Sequence, residues 1–583
     1  MVETGEFRTL PTRWWLVLTA YVLSLFAFNL GSARTFTGHE GFVAQAAREM
    51  LSTGDWLVPR IDGKPWLEKP PLPHWCVAAL GALAGGVDEF VARVPSVLAG
   101  LAGVLLMTSL AVRWHSPGRG LLTGFILATS FYVVTYARLA EADIYLWALV
   151  LGGLWVFARE NVAPASGSPW YAGRWLFYLL LGLTQLCKGP MFGAVMILVP
   201  CVGFLGLAWF PRPERPAAEG EGFRPIAGML RCVRPFGWFM HPAILVFLAI
   251  SLAWPIAILL RYPETATLWW THTLGRVGGD KVINPGPWWY YAATLPWQLM
   301  PWTLLVLPAL PSPLRRAWKE PRSPDRFLAA WCGLLFIALS LIKAKHHHYL
   351  IYALPPCAFW AADGLMRTKD WAAWFAADLR RIVALLAAGC LALIGVYGLL
   401  VELQIPYAGD VALLGGLAIL GTGVIALCLR RGQPMPAVLA LFACLWLGYG
   451  WAHVSISWKS DGYRAETVWL RQLDRLAGPE ETVYVLGIEP SRLLLYSPCR
   501  LEVHARPREF AAEARTHPNR LVLTSVGHEP MLRKFGTPTL IETMSVEKGA
   551  KLDPFRQYAL YRMEWKEPRE LTSGAKENRR QHP

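Results

Sequence analysis

A small set of ionisable side chains stands apart from the apolar chain that surrounds it. Gly38-His39-Glu40 places an imidazole beside a carboxylate, and Asp143 ends the sequence Arg-Leu-Ala-Glu-Ala-Asp. A carboxylate or an imidazole can accept the proton of a substrate hydroxyl. Several cations together can bind an anionic group, such as the head group of a lipid. The candidates for this second role are Lys69, Lys188, Arg276, Lys343 and Lys345.

The elements that must position these residues are membrane helices. Of the 583 residues, 54% are hydrophobic and only 17% are charged, whereas soluble proteins carry about 25% charged residues. Thirteen apolar stretches, some of marginal length, are candidates for spanning helices. They lie near 14–31, 94–112, 120–137, 144–158, 175–186, 190–210, 241–260, 289–310, 327–342, 350–366, 382–402, 411–429 and 434–453.

The distribution of lysine and arginine predicts the orientation. With a cytoplasmic N-terminus, the most basic loops fall on the cytoplasmic side, as the positive-inside rule requires. An odd number of spans then places the charge-rich residues 459–583 on the periplasmic side of an inner membrane. The apolar run 72–87 would invert every later loop if it crossed the bilayer, so we expect an interfacial helix there.

This topology predicts that every candidate residue lies on the non-cytoplasmic side. The largest outer loop is 32–93, and the amphipathic pattern that follows Gly38 predicts a helix on the membrane surface. Ionisable groups at a membrane edge indicate a functional site, here one for an anionic lipid head group. The net charge of +15 is scattered between apolar runs, which does not favour nucleic-acid binding. The alternative class is a transporter or a lipid-handling membrane protein without transfer chemistry. The spans carry few charges, which does not favour a transporter.

Structural roles are the alternatives for the main candidates. Glu40 could be an acid that the helix dipole favours in a first helical turn. Asp143 could simply pair with Arg138, and Lys69 could reach the interface as lysines at membrane edges commonly do. For the proton acceptor we expect Glu40 or Asp143, with His39 as an assistant or substitute.

The C-terminal residues 459–583 predict a small soluble α/β domain after a transmembrane domain of residues 1–458. Helical pieces such as 464–476 separate the strand-like runs, and the charged end after about Glu567 is expected to be disordered. The domain carries no phosphate loop or metal-ligand spacing, so it is assigned no chemistry. The expected strands are Thr482–Gly487, Leu493–Tyr496, Leu521–Val526 and Gln557–Met563.

Several motifs resemble one family. AREMLSTGDWLVPRIDGKPWLEKPPL, ARVPSVLAG, TYARLAEAD, CKGP and IKAKHHHYL are similar to motifs of the glycosyltransferase C superfamily. Within it, they resemble those of the bacterial lipid A aminoarabinose transferases, relatives of the protein O-mannosyltransferases. The resemblance implies about thirteen transmembrane helices with a C-terminal domain outside. It also implies transfer of a sugar, with inversion, from a polyprenyl phosphate such as undecaprenyl phosphate to a lipid, glycan or protein acceptor.

The resemblance also carries over individual residues. It implies that Lys69 of the EKPPL motif binds the lipid phosphate and that Glu68 and His272 hold a divalent metal such as zinc. His39 stands where the family usually has aspartate, the residue usually given the catalytic role, and Phe42 stands where an arginine is common. This departure leaves two further alternatives: another proton acceptor, or a catalytically inactive relative.

Overall fold

A computed structural model describes most of the chain. The described residues are 9–163, 171–209, 234–278, 284–366, 379–478, 481–504, 510, 521–544 and 557–565. The end expected to be disordered, after about Glu567, lies outside these residues.

Helices dominate the chain up to residue 459. The first nine are α1 (Thr12–Ala27), α2 (Gly38–Thr53), α3 (Leu72–Ala84), α4 (Glu89–Trp114), α5 (Pro117–Ala128), α6 (Phe131–Ala137), α7 (Ala142–Asn161), α8 (Tyr171–Lys188) and α9 (Phe192–Trp209). The next ten are α10 (Ile244–Arg261), α11 (Thr265–Gly278), α12 (Tyr290–Gln298), α13 (Thr303–Ala309), α14 (Pro311–Lys319), α15 (Pro324–Leu341), α16 (Leu354–Met366), α17 (Leu379–Glu402), α18 (Ala408–Arg430) and α19 (Pro434–Trp451).

Many of these helices are suited to a bilayer. In the described part of the chain, seven are long and apolar enough to cross it, or eight if α5 and α6 form one bent span. The chain therefore has the architecture of a helical membrane protein with many spans. The run 72–87, expected to lie at the interface, forms the short apolar helix α3.

Two of the predicted spans are broken. α5 and α6 meet at an angle of 64°, where the hydroxyls of Thr129 and Ser130 donate to carbonyls four residues earlier, at 2.7 and 2.8 Å. Such hydrogen bonds often bend helices. The stretch 289–310 divides into α12 and α13, and it contains three prolines, each of which removes a backbone donor.

The first loop, 32–93, folds into α2, a two-stranded hairpin and α3. The hairpin pairs β1 (Arg60–Ile61) with β2 (Lys64–Pro65). A capping box fixes the start of α2: Thr37 Oγ1 accepts from the backbone N–H of Glu40 at 3.2 Å, and Glu40 Oε2 accepts from that of Thr37 at 3.0 Å.

The C-terminal region is α/β, as predicted. The described residues of this region form five strands, in the order β4-β3-β5-β7-β6: β3 (Thr482–Leu486), β4 (Arg500–His504), β5 (Leu521–Ser525), β6 (Gly536–Thr543) and β7 (Tyr558–Trp565). β3, β4 and β5 are parallel, and β7 is antiparallel to both of its neighbours. The helices are α20 (Arg464–Leu470), α21 (Leu473–Ala477), α22 (Pro490–Tyr496) and α23 (Glu529–Leu532).

The predicted strand Leu493–Tyr496 is wrong, because these residues form most of α22. Pro490 stands in the first turn of this helix, and the Glu489 side chain accepts from the backbone N–H of Ser491 at 2.8 Å. A run of a few apolar residues has no period that separates strand from helix. The other three predicted strands are confirmed in β3, β5 and β7.

The first loop and the C-terminal region share one apolar core. Phe36, Val43 and Met50 belong to the same buried cluster as Leu493 and Leu523. The expected placement of α2 on the membrane surface is therefore wrong, because its apolar face packs against α3 and α22. Gly41 permits this close approach: a β-carbon there would lie 2.7 Å from Arg492 Cγ and 2.9 Å from Ser491 Oγ.

Candidate active site

Asp143 lies in the first turn of α7 and contacts two cationic or polar groups from distant segments. Lys188 Nζ donates to Asp143 Oδ1, and His348 Nε2 lies 3.7 Å from the same oxygen. The alternative pairing of Asp143 with Arg138 is wrong. Arg138 instead donates to the carbonyl of Phe26 at 2.5 Å, at the end of α1.

Lys188 is the last residue of α8, where the helix must stop. Gly189 follows with φ of +95°, a conformation that residues with a β-carbon rarely adopt, and Pro190 comes next. The ammonium lies 5.0 Å from the centre of the Tyr349 ring, within the range of a cation–π contact. The KGP sequence thus ends the helix with its cation directed at Asp143.

Lys69 belongs to the same group of charges. It is half-buried just before Pro70-Pro71, and its strongest electrostatic partners are Glu68, Lys188 and Asp143. Burial lowers the pKa of Lys69 from its ordinary value. In the described part of the chain no carboxylate lies within 4.0 Å of its ammonium group, so this cation is not neutralised by an ion pair.

His39 interacts with the same group of charges. Its side chain is exposed, and it interacts electrostatically with Lys69, Asp143 and Lys188. Partial desolvation, followed by the charge of Lys69, lowers the pKa of His39 below its ordinary value. The imidazole is therefore mostly neutral at neutral pH and able to accept a proton.

Glu40 is held in an internal ion pair. Its side chain is 0% exposed and that of Arg93 is 1% exposed, with Arg93 Nε 2.7 Å from Glu40 Oε1. The backbone N–H of Ala140 donates to the same oxygen at 3.0 Å. Although burial opposes it, Arg93 lowers the pKa of Glu40 to about 2. This geometry matches the alternative of a first-turn acid and does not suit Glu40 as a proton acceptor.

Sequence reasoning missed one carboxylate of the site, Glu141. It precedes α7, accepts from Thr37 Oγ1 at 3.3 Å and interacts electrostatically with Asp143, Glu40 and Lys69. Burial, followed by the charges of Asp143 and Glu40, raises the pKa of Glu141 to about 7. The Glu-Ala-Asp spacing was the available signal, since it places two acids together at the start of one helix.

The predicted cations differ in position. Lys345 is only 4% exposed, and its ammonium donates to the carbonyls of Leu339 and Ser340 at 3.0 and 2.7 Å. It therefore caps the end of α15, which contradicts its predicted role as a phosphate ligand. Lys343 is exposed. The side chain of Arg276 lies outside the described residues.

The three consecutive histidines point in different directions. His348 faces Asp143, whereas His347 Nδ1 forms a 2.8 Å hydrogen bond with the hydroxyl of Tyr132.

The described residues offer little support for a metal at Glu68. No group of three histidine, cysteine or acidic residues that could hold an ion occurs among them, whereas protein zinc sites normally use at least three such ligands. The side chain of the second predicted ligand, His272, is not among those described.

The same fold occurs in solved structures. The crystal structure of ArnT from Cupriavidus metallidurans in the apo state superposes with a TM-score of 0.73 at 19% identity, covering 94% of this chain and 98% of that one. The ArnT structure bound to undecaprenyl phosphate gives 0.71 at 20% identity, covering 95% and 98%. The Archaeoglobus fulgidus oligosaccharyltransferase gives 0.51 at 12% identity, covering 94% and 76%.

Sequence comparisons point to the same proteins. A family model of the dolichyl-phosphate-mannose-protein mannosyltransferases matches residues 68–212, which include Lys69, Asp143 and Lys188. An undecaprenyl phosphate-alpha-4-amino-4-deoxy-L-arabinose arabinosyl transferase of Pseudomonas savastanoi is 28% identical over 387 residues, 65% of this chain and 66% of that protein. The resemblance to the glycosyltransferase C superfamily is confirmed.

The likeness covers part of each relative. The enzyme of the same name from Pseudomonas aeruginosa strain UCBPP-PA14 is 30% identical over 364 residues, 61% of this chain and 60% of that protein. Thus the chain spans less than two thirds of the length of these relatives.

Proposed function

We propose that the protein is an integral membrane glycosyltransferase. It moves a sugar from a polyprenyl phosphate to an acceptor hydroxyl or phosphate on a lipid, glycan or protein. The observation that carries the proposal is the gathering of Lys69, Asp143 and Lys188, from three separate segments, into one group of interacting charges. Relatives named for an undecaprenyl phosphate sugar donor support this substrate class.

Lys69 and Lys188 are the proposed ligands of the leaving phosphate. The two ammonium groups repel each other, and the charge of Lys188 lowers the pKa of Lys69. A phosphate between them would remove that repulsion and gain charge stabilisation as the sugar–phosphate bond breaks. Arg276, carried over from the sequence prediction, is a third proposed ligand.

The proton of the acceptor needs a carboxylate or an imidazole. Asp143 and His39 qualify by position, since both interact with Lys69 and Lys188, whereas Glu40 is enclosed by Arg93. In an inverting transfer the acceptor and the leaving phosphate occupy opposite faces of the sugar. The proton acceptor and the lysines should therefore flank the sugar from two sides.

The proposal includes a topology. The transmembrane domain of residues 1–458 crosses an inner membrane about thirteen times, with the N-terminus cytoplasmic and the domain of residues 459–583 periplasmic. The site then faces the non-cytoplasmic side. The basic loops support this orientation, and reporter fusions in loop 32–93 would test it: reporters active in the cytoplasm would contradict it.

A divalent ion held by Glu68 and His272 is a further part of the proposal. It predicts that dialysis against a chelator lowers metal content measured by elemental analysis together with the rate of transfer. An unchanged rate in metal-free protein would remove the ion from the proposal.

The function is tested with purified protein and a panel of polyprenyl phosphate sugars. We expect release of polyprenyl phosphate together with a glycosylated acceptor for at least one donor. Binding of donors without release of the lipid phosphate would contradict the proposal and favour a lipid-handling or inactive relative.

A further inference from the structure

Glu141 differs from the other two carboxylates that lie close to it. Glu40 pairs with Arg93, and Asp143 pairs with Lys188. In the described part of the chain, Glu141 takes part in no ion pair within 4.0 Å. Of these three carboxylates it is therefore the one that no cation pairs with in that part of the chain.

The position of Glu141 is fixed by the elements around it. The Thr37 hydroxyl accepts a hydrogen bond from the backbone N–H of Glu40 and donates a hydrogen bond to Glu141 Oε1. The backbone N–H of Ala140, one residue before Glu141, donates to Glu40. The start of α2 thus holds both this segment of the backbone and the side chain of Glu141.

Glu141 shares the charges of the proposed phosphate site. Lys69 and Lys188 both interact with it electrostatically, as does the phenol of Tyr136. Arg34, from the segment before α2, also interacts with it electrostatically. Glu141 is half-buried.

We propose that Glu141, in place of Asp143 or His39, is the general base that takes the proton of an acceptor hydroxyl. This inference rests on the proposed glycosyl transfer. The hydroxyl proton moves to the Glu141 carboxylate while the hydroxyl oxygen forms a bond to the anomeric carbon. The bond from that carbon to the phosphate oxygen breaks, and the electron pair leaves with the polyprenyl phosphate.

The assignment gives the neighbouring groups distinct tasks. Asp143 holds Lys188 in place, and His39 lies beside Lys69 on the phosphate side. A base is needed for a neutral hydroxyl, whereas a phosphate acceptor is already anionic. The inference therefore commits the protein to a hydroxyl-bearing acceptor.

The decisive experiment uses Glu141→Gln in the full-length protein, with azide as an added nucleophile. Azide needs no deprotonation, so it can replace an acceptor whose base has been lost. We expect transfer to the natural acceptor to fall about 100-fold or more while donor binding is kept. Azide should restore release of polyprenyl phosphate and give a glycosyl azide of inverted configuration.

Controls separate this inference from the proposed function. The exposed carboxylate of Glu564, on β7, provides the matched variant Glu564→Gln, which should transfer normally. Unchanged transfer by Glu141→Gln, or a loss that azide does not restore, would overturn the role of Glu141. The function itself would fail only if the wild type released no polyprenyl phosphate.

The wild-type pH profile tests the inference without any variant. The groups that face Glu141 are Asp143, Glu40, Arg34, Lys69 and Lys188. Because the base must be deprotonated and its pKa is near 7, the rate should fall as the pH drops through 7. A rate that is flat from pH 8 to pH 6 would overturn the assignment.

Discussion

At the scale of single residues, Lys69 should be essential for transfer and dispensable for folding. Lys69→Ala removes a cation beside the leaving phosphate, and we expect the rate of transfer to fall about 100-fold or more. The rate of polyprenyl phosphate release measures this. Lys534→Ala, an exposed lysine of the C-terminal region, is the matched control. A Lys69→Ala protein with wild-type turnover would exclude the phosphate role.

Glu40, in contrast to Lys69, should be important for the stability of the fold. Glu40→Gln leaves the buried Arg93 without its counter-ion, and we expect a loss of about 3–5 kcal/mol in the free energy of unfolding. The pair stabilises the protein fully above pH 4.5, and this contribution is lost as the pH falls through the folded pKa of about 2.

Thermal unfolding in detergent measures the effect of Glu40→Gln, with Glu564→Gln as the control. A variant of unchanged stability that has lost turnover would instead return Glu40 to the catalytic group.

The sequence predicted the identity of the site better than its contacts. Lys69 and Asp143 could be chosen because charged residues beside apolar runs are rare and costly. The partner of Asp143 could not be predicted, because Lys188 lies 45 residues away and Arg138 is nearer along the chain. Glu141 was not chosen as a candidate, because the sequence does not reveal that Glu40 and Asp143 are already paired with cations.

At the scale of elements, the start of α2 connects stability with catalysis. Thr37→Val removes the helix cap and the hydrogen bond to Glu141, so we expect a loss of about 1 kcal/mol in stability and a slower transfer. Thr37→Ser keeps the hydroxyl and should restore both properties. Thermal unfolding and the transfer rate are the measurements. If the valine variant equals the wild type in both, the capping box does not position the base.

The positions of the helices were largely readable from the sequence, because long apolar stretches have few other uses. The points at which the helices break could not be predicted from the sequence. The bend between α5 and α6 depends on Thr129 and Ser130, whose hydroxyls bond to their own helix. The prediction that α2 lies on the membrane surface was wrong because its apolar stripe packs against α22. The sequence pattern of an apolar stripe is the same whether the stripe contacts protein or lipid.

At the scale of the whole molecule, the C-terminal region holds the first loop. The Arg48 guanidinium donates to the carbonyls of Leu494 and Leu495 at 3.4 and 3.3 Å, and to that of Val87 at 3.1 Å. Arg48→Ala should therefore loosen α2 and α22 together. Hydrogen exchange should become faster in both helices, with the exposed Arg533→Ala as control. Faster exchange in only one of them would show that Arg48 does not join the two.

The hydrogen bond from the backbone N–H of Phe36 to the hydroxyl of Tyr496 spans 460 residues. At about 5–20 residues per second, a ribosome needs roughly 20 to 90 seconds to make that length of chain. The segment with His39 is thus made well before the residue that holds it. In a growing chain, this support for the first loop is missing until Tyr496 has been added.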